Sequence, residues 1–310
     1  MKPLLIVNPR AAGSRTGAAF AAAAAAVRET LGPVDAAFTE HRGHGIQLAR
    51  LGAEGGRELI VAVGGDGTLS EVVNGVLQSG LKPRVGFIAA GTGGDFRRSV
   101  GVGPSPHECL QAIASGRERR VDVGRLTYRD TRDDAVQERY FLNIVSAGMG
   151  GLVDRYVESA PAWVGGRLGY YAATLRAIYR CPESWLHCVL TLDGRSEERV
   201  LLARVIAVCN GAYFGSGMHM APMARVDDGV LEVVSVTQPT RLHMLVRSRS
   251  IYDASHFRYE GVEHLRCQRI EIDLEDEGAR RLFLLDVDGE SLGGLPMSAE
   301  VVPAALVLRV

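Results

Sequence analysis

The chain has 310 residues, and its 35 basic against 36 acidic side chains leave a formal net charge of −1, which excludes a general nucleic-acid binder, ordinarily a basic protein. An apolar fraction of 46% with 23% charged residues excludes a disordered or collagen-like chain, and the length gives a prior of two domains with a core that needs no staples. Five scattered cysteines (Cys109, Cys181, Cys188, Cys209, Cys267), with no CxxC pair among them, exclude a disulfide framework and a thiolate metal site and point to the reduced cytosol.

The opening apolar run LLIVN (4–8) reads as a strand and stops at Asn8-Pro9, without the features of a cleavable leader. The longest apolar run, 18–27, is far short of the roughly 20 residues of a spanning helix, so any membrane contact is expected to be peripheral. Ala18–Leu31 follows as an alanine-rich helix closed by Gly32-Pro33, then VDAAFT (34–39) as a strand and 43–55 as a helix. ELIVAV (58–63) is a strand, apolar from Leu59 on, 68–80 is a helix, and VGFIAA (85–90) a strand leading into GTGGDF. Apolar strands alternating with helices predict a doubly wound α/β domain with a parallel sheet, whose ligands lie beyond the carboxyl ends of the strands.

After about residue 122 the pattern changes to long β-rich segments. Asp193-Gly194 joins two strand-like runs as a hairpin, and the stretch from His264 to Glu290 has a looser turn at 275–280. The expectation is an α/β domain over 1–122 and a mostly antiparallel β-sandwich domain over 123–310, with the final residues free to pack back on the first. One helical insert, 162–180, mixes Trp163, Tyr170 and Tyr171 with arginines. It suits either an acidic bilayer surface or packing on the second domain or a second subunit.

The strongest local signal is VAVGGDGTLSEVVNG, where a strand runs into Gly64, Gly65, Asp66, Gly67 and Thr68 and then a helix. Glycines let the backbone approach phosphate oxygens, the helix start offers free N–H groups, and Thr68 suits an N-cap or a phosphate donor. An aspartate in such a loop would repel phosphate unless a cation lies between them, so Asp66 suggests Mg2+. A plain turn after a buried strand is the bland alternative. The second loop, IAAGTGGDFRR, adds Gly91, Thr92 and Asp95 after the neighbouring strand. With only Lys2 and Lys82 in the chain there is no Walker lysine, and no GxGxxG follows the first strand. Arg10, Arg15, Arg97 and Arg98 are the nearby cations, each also readable as solvated surface.

Five motifs, NPRAAGSRTG (8–17), GGDGTLSEVVNG (64–75), AAGTGGDFRRSVG (89–101), APMARVDDGVLEV (221–233) and VDGE (287–290), occur in the order and spacing of the diacylglycerol kinase catalytic-domain family, which the chain resembles along nearly its whole length. That family includes soluble bacterial lipid kinases and the sphingosine and ceramide kinases. The resemblance implies an N-terminal domain binding ATP, a C-terminal β-sandwich-like domain binding lipid, and an active site in the cleft between them.

Carried over residue by residue, it implies nucleotide contacts from Asn8, Pro9, Arg10, Thr39, the stretch Gly64, Gly65, Asp66, Gly67, Thr68 to Glu71, and from Gly91 and Thr92. Asp66 and Asp95 match members of a metal and water network, and Glu290, beside Asp288, matches the catalytic proton acceptor. Arg225, Asp228 and Val230 match a structural Mg2+ site. Two departures stand out: Gly94 replaces the usual Asn of GTGNDF, and Ala12 the usual Ser of the first motif. The implied activity is Mg2+-dependent transfer of the γ-phosphoryl group of ATP to a lipid hydroxyl, diacylglycerol or a related glycerolipid, at a membrane surface. An NAD-kinase-like enzyme and a non-catalytic lipid or nucleotide sensor are the alternatives, and homodimerisation is left open.

Overall fold

The computed structural model describes residues 2–11, 27–89, 94–130, 133–159, 167–215 and 217–310. The chain divides into two compact units, the first made of residues 1–123, 226–228 and 302–310, the second of 124–225 and 229–301.

In the first unit, strands β1 (Leu4–Val7), β2 (Asp35–Phe38), β3 (Leu59–Gly64) and β4 (Arg84–Ala89) form a parallel sheet in the order β2-β1-β3-β4. The expected strands are therefore present, and β3 is buried at every position, as a parallel strand covered on both faces must be. The core is built from Leu5, Val7, Val61, Val63, Ile88 and Ile113. Helices His44–Glu54, Asp66–Gln78, Asp95–Val100 and Pro106–Ala114 follow in chain order. The chain's last strand, β15 (Glu290–Arg309), adds its end to this sheet, with Val307 and Leu308 running parallel to Arg84 and Val85 of β4. Most of the expected alanine-rich helix lies outside the described residues, as do Ala12, Arg15, Gly91, Thr92 and Trp163.

Strand β5 (Glu118–Arg129) carries the chain out of the first unit. The second unit is antiparallel, with β6 (Val136–Phe141), β7 (Ile144–Gly148), β8 (Ser184–Leu192), β9 (Arg195–Ala203), β10 (Val205–Cys209), β11 (Leu231–Val236), β12 (Val262–Cys267), β13 (Arg269–Leu274) and β14 (Leu284–Val287). One run of neighbours is β12-β11-β10-β7-β14-β15, and β8 lies between β9 and β13. Hairpin β8–β9 turns at Asp193 (φ +50°) and Gly194 (φ +74°), the two positive-φ positions of a type I′ turn, as the Asp-Gly pair predicts.

The stretch His264–Glu290 departs from the hairpin reading. β13 and β14 do not pair with each other but flank the same strand, β15, and the expected loose turn holds a short helix, Glu277–Arg280, capped by the Asp276 carboxylate. β13 is buried at alternate positions, so its own pattern cannot say which partner strand it meets. Among the described residues the expected insert is helix Arg167–Arg180, and helices Met149–Glu158 and Arg241–Arg247 accompany it. Their shortness hides them among β-rich sequence. No described helix is long and apolar enough to cross a membrane.

Candidate functional site

Because β1, β3 and β4 are parallel, the segments that follow them share one edge of the sheet. Asn8, just past β1, donates through Nδ2 to Thr68 Oγ1 at 3.2 Å, and its Oδ1 accepts from the Arg10 N–H at 2.9 Å across Pro9. Gly64 ends β3 where a Cβ would lie 2.4 Å from Thr68 Oγ1, so only glycine lets that hydroxyl reach the strand end. Asp66 Oδ2 accepts from the Gly94 N–H at 2.7 Å and the Asp95 N–H at 3.4 Å. One carboxylate thus ties the two glycine segments together, and a crevice lined by Gly64, Gly65, Asp66, Gly94 and Arg97 opens above Phe87.

One sequence reading changes here. The helix starts at Asp66 rather than at Thr68, and extended Gly65 (φ −93°) is its N-cap, so Thr68 is an interior residue and not a cap. Asp66 in the first turn meets the positive end of the helix dipole, which favours the earlier start. Glu71 is buried with both oxygens turned to the next helix, Oε1 accepting from Gly43 N–H at 2.7 Å and Oε2 from Gly45 N–H at 2.8 Å. It thereby caps helix His44–Glu54 from outside, since Gly43 has no side chain to do so.

Asp95 starts the helix after the second loop and is ion-paired with Arg98 at 2.6 Å, while Arg97 donates to the Val102 carbonyl at 2.9 Å. Gly94 adopts a left-handed conformation (φ +73°), which asparagine also tolerates, so the departure from the usual Asn preserves the backbone turn. Thr39 is buried at the end of β2, with its N–H on the Val7 carbonyl, and Gly67 opens to empty space. Arg225, Asp228 and Val230 fall on the irregular segment 221–230, where Gly229 is left-handed (φ +72°) and neighbouring Asp227 is ion-paired with Arg119 at 2.8 Å.

In the second unit Glu290 begins β15 opposite Val287, across a type I′ turn formed by Asp288 (φ +50°) and Gly289 (φ +87°). Asp288 Oδ2 accepts from the Leu142 N–H at 2.6 Å, and Oδ1 from the Asn143 and Ile144 N–H groups at 2.9 and 3.0 Å. Its carboxylate anchors the turn to the start of β7. Glu290 Oε2 accepts from Arg139 Nη2 of β6 at 3.0 Å, with the two side chains 14% and 13% exposed, so its charge is matched largely out of water. Asp286, two residues before the turn, is buried, and its carboxyl is held well above the usual range by burial and by the carboxyl of Asp154.

Arg139, Asp154 and Asp286 are absent from the sequence reading. Asp286 could have been noticed as the second carboxylate of LLDVDGE, two residues before Asp288; no motif marks Arg139. Among the described residues no three His, Cys, Asp or Glu side chains converge as a metal cluster.

Two family models match the chain. Residues 2–126 match the diacylglycerol kinase catalytic domain, and residues 143–310 the YegS C-terminal NAD kinase beta sandwich-like domain. A Chromohalobacter salexigens protein named "Probable lipid kinase YegS-like" is 31% identical over 91% of this chain and 88% of its own. A diacylglycerol kinase of Mycobacterium tuberculosis is 27% identical over 82% of this chain and 77% of its own. Among solved structures, a diacylglycerol kinase of Bacillus anthracis superposes with a TM-score of 0.70 at 22% identity, covering 99% of this chain and 96% of its own. Yeast NADH kinase shares the fold more distantly, with a TM-score of 0.51 at 12% identity over 99% and 82% of the two chains.

Proposed function

The chain belongs to the diacylglycerol kinase catalytic-domain family of lipid kinases, and from that membership we propose that it transfers the γ-phosphoryl group of ATP, with Mg2+, to the hydroxyl of diacylglycerol or a related glycerolipid. The observation that carries this reading is the Asp66 bridge between the two glycine segments, with Gly64, Gly65, Gly94 and Arg97 lining a small crevice beside it. Backbone N–H groups at the strand ends bind phosphate oxygens, and Asn8 and Thr68 fix the loop that presents them.

The carboxylates of Asp66 and Asp95 are hard oxygen donors of the kind Mg2+ takes, and they fit that ion. Bound there, Mg2+ would neutralise charge on the β and γ phosphates. The Asp228 carboxylate, with the backbone carbonyls of Arg225 and Val230 on the same segment, would hold a second, structural Mg2+. Glu290 accepts the proton of the lipid hydroxyl as its oxygen bonds to the γ-phosphorus and the bond to ADP breaks, and Arg139 holds the carboxylate in place.

A lipid acceptor is supported by a face of the second unit. Tyr171, Leu175 and Tyr179 on helix Arg167–Arg180, and Leu242 and Val246 on helix Arg241–Arg247, are exposed. Arg241 stacks over the Tyr179 ring at 5.1 Å, joining the two helices. Neither helix carries a carboxylate, so the face combines apolar and basic groups suited to an anionic bilayer.

The test is incorporation of labelled γ-phosphate into detergent-dispersed diacylglycerol, phosphatidylglycerol, sphingosine, ceramide and monoacylglycerol, with NAD as the soluble control and chelator as the metal control. Label in a glycerolipid, lost with chelator and lost in a folded, ATP-binding Glu290→Gln variant, is the expected result. Label in NAD alone would replace the reading with the NAD-kinase one, and no label at all would favour a sensor.

A further inference from the structure

Behind the Glu290 turn lies a polar spot that the reaction above does not use. Asp286 on β14 is directly opposite Ser146 on β7 and Ser291 on β15, and it is 5% exposed. Its Oδ1 accepts from the Gly289 N–H at 2.8 Å, inside the turn itself. Helix Met149–Glu158 covers the spot and brings Asp154 into hydrogen-bond contact with Asp286. One turn earlier on the same helix face is Gly150, where a Cβ would lie 2.4 Å from Ser146 Oγ and 3.8 Å from Asp286 Oδ2. The helix can approach these oxygens only because that position is glycine.

We propose that the Asp154–Asp286 carboxyl pair is a positioning element of the catalytic hairpin, holding Glu290 in place through the Asp286–Gly289 hydrogen bond. The role rests on the proposed kinase reaction. Two carboxyls in contact, one of them buried and the other half-buried, do not both ionise at neutral pH, so one stays an acid and donates its O–H to the other. The remaining oxygen of Asp286 is then fixed on Gly289, while Asp288 anchors the other side of the turn on residues 142–144. The groups facing Asp286 are Asp154 from the helix, Asp288 from the turn, and the non-titrating Ser146 and Ser291 from the flanking strands. None of these supplies a cation, so loss of the shared proton at alkaline pH sets two charges against each other and releases the turn.

Three variants test this: Asp286→Asn, Asp154→Asn and Asp286→Leu. The amide of Asp286→Asn can still accept from Gly289 N–H and donate to Asp154, so it retains far more turnover than Asp286→Leu and loses the alkaline fall in kcat. Asp286→Leu keeps its KM for ATP and loses about 100-fold in kcat, the scale of a displaced catalytic group. Hydrogen exchange at the Gly289 amide accelerates in Asp286→Leu but not in Asp286→Asn, and the infrared carbonyl band of a buried carboxylic acid disappears in Asp286→Asn. A folded Asp286→Leu with wild-type kcat and slow Gly289 exchange would overturn the proposal, as would a wild type lacking the acid band at neutral pH. Should Asp286→Leu fail to fold, the infrared band and the pH profile of the Asn variants decide. If the wild type phosphorylates no lipid, the kinase reading fails, while the band and the Gly289 exchange still report whether the pair holds the turn.

Discussion

Replacing Asp288 is the most direct way to ask whether the Glu290 turn is pinned from outside the hairpin. Its two oxygens accept from three backbone N–H groups, and the residues that donate two of them, Leu142 and Asn143, are 3% exposed. A hydrogen bond to a charged partner is worth about 1.5–3 kcal/mol, and a stranded buried donor costs a similar amount. Three at the low end come to about 4.5 kcal/mol, and an alanine forced into the left-handed conformation that Asp288 adopts adds about 1, which puts Asp288→Ala at about 5–6 kcal/mol. Asp288→Asn keeps its carbonyl for Asn143 and Ile144 but turns an NH2 toward the Leu142 N–H, so its loss is about 2 kcal/mol. Urea unfolding followed by a probe in the second unit gives both values from the midpoint at constant slope. An Asp288→Ala midpoint equal to wild type, or the order Asn worse than Ala, would refute the anchoring argument.

Removing the cap that Glu71 provides, as Glu71→Ala, should lower stability by about 1–2 kcal/mol without raising the KM for ATP, measured by urea melts beside kinase assays. Burial pushes the Cys181, Cys188 and Cys267 thiols up to about 12 and raises those of Cys109 and Cys209 as well. At pH 8 all five are therefore protonated and enclosed, and a colourimetric thiol reagent should label them only after denaturant is added. Arg139→Leu leaves Glu290 without its guanidinium in a nearly dry site, and kcat toward diacylglycerol should fall about 10- to 100-fold at unchanged KM for ATP, seen in initial-rate kinetics.

Where the fold could be read from the sequence, a short-range rule was at work. The runs that became β1, β3 and β4 are largely apolar because both faces are covered, and the Asp-Gly pair at 193–194 became a type I′ turn because few other residues accept two positive φ values in a row. Long-range contacts were invisible. Glu71 caps a helix that begins 27 residues earlier, and Arg139 meets a carboxylate 151 residues away. The partner of β13 could not be read because an alternating strand fits any neighbour that buries the same face. The candidate site was legible as motifs, but the motifs do not say which oxygen faces which amide. Only the structure shows Asp66 bridging the glycine segments and Asp288 spent on backbone.

The route of the chain through the first unit bears on how the protein is made. Its sheet ends at β4, whose outer edge is covered by Val307 and Leu308, and Asp122 Oδ1 accepts from the Ala304 N–H at 2.7 Å. At ribosomal speeds, about 10–40 s separate the emergence of residue 123 from that of residue 302. Throughout that interval β4 is an unpaired edge, the kind of surface that recruits strands from other nascent chains. A fragment ending near residue 123 would carry the same open edge permanently. Recombinant pieces of the first unit should therefore aggregate unless the peptide 302–310 is supplied, either in trans or by circular permutation.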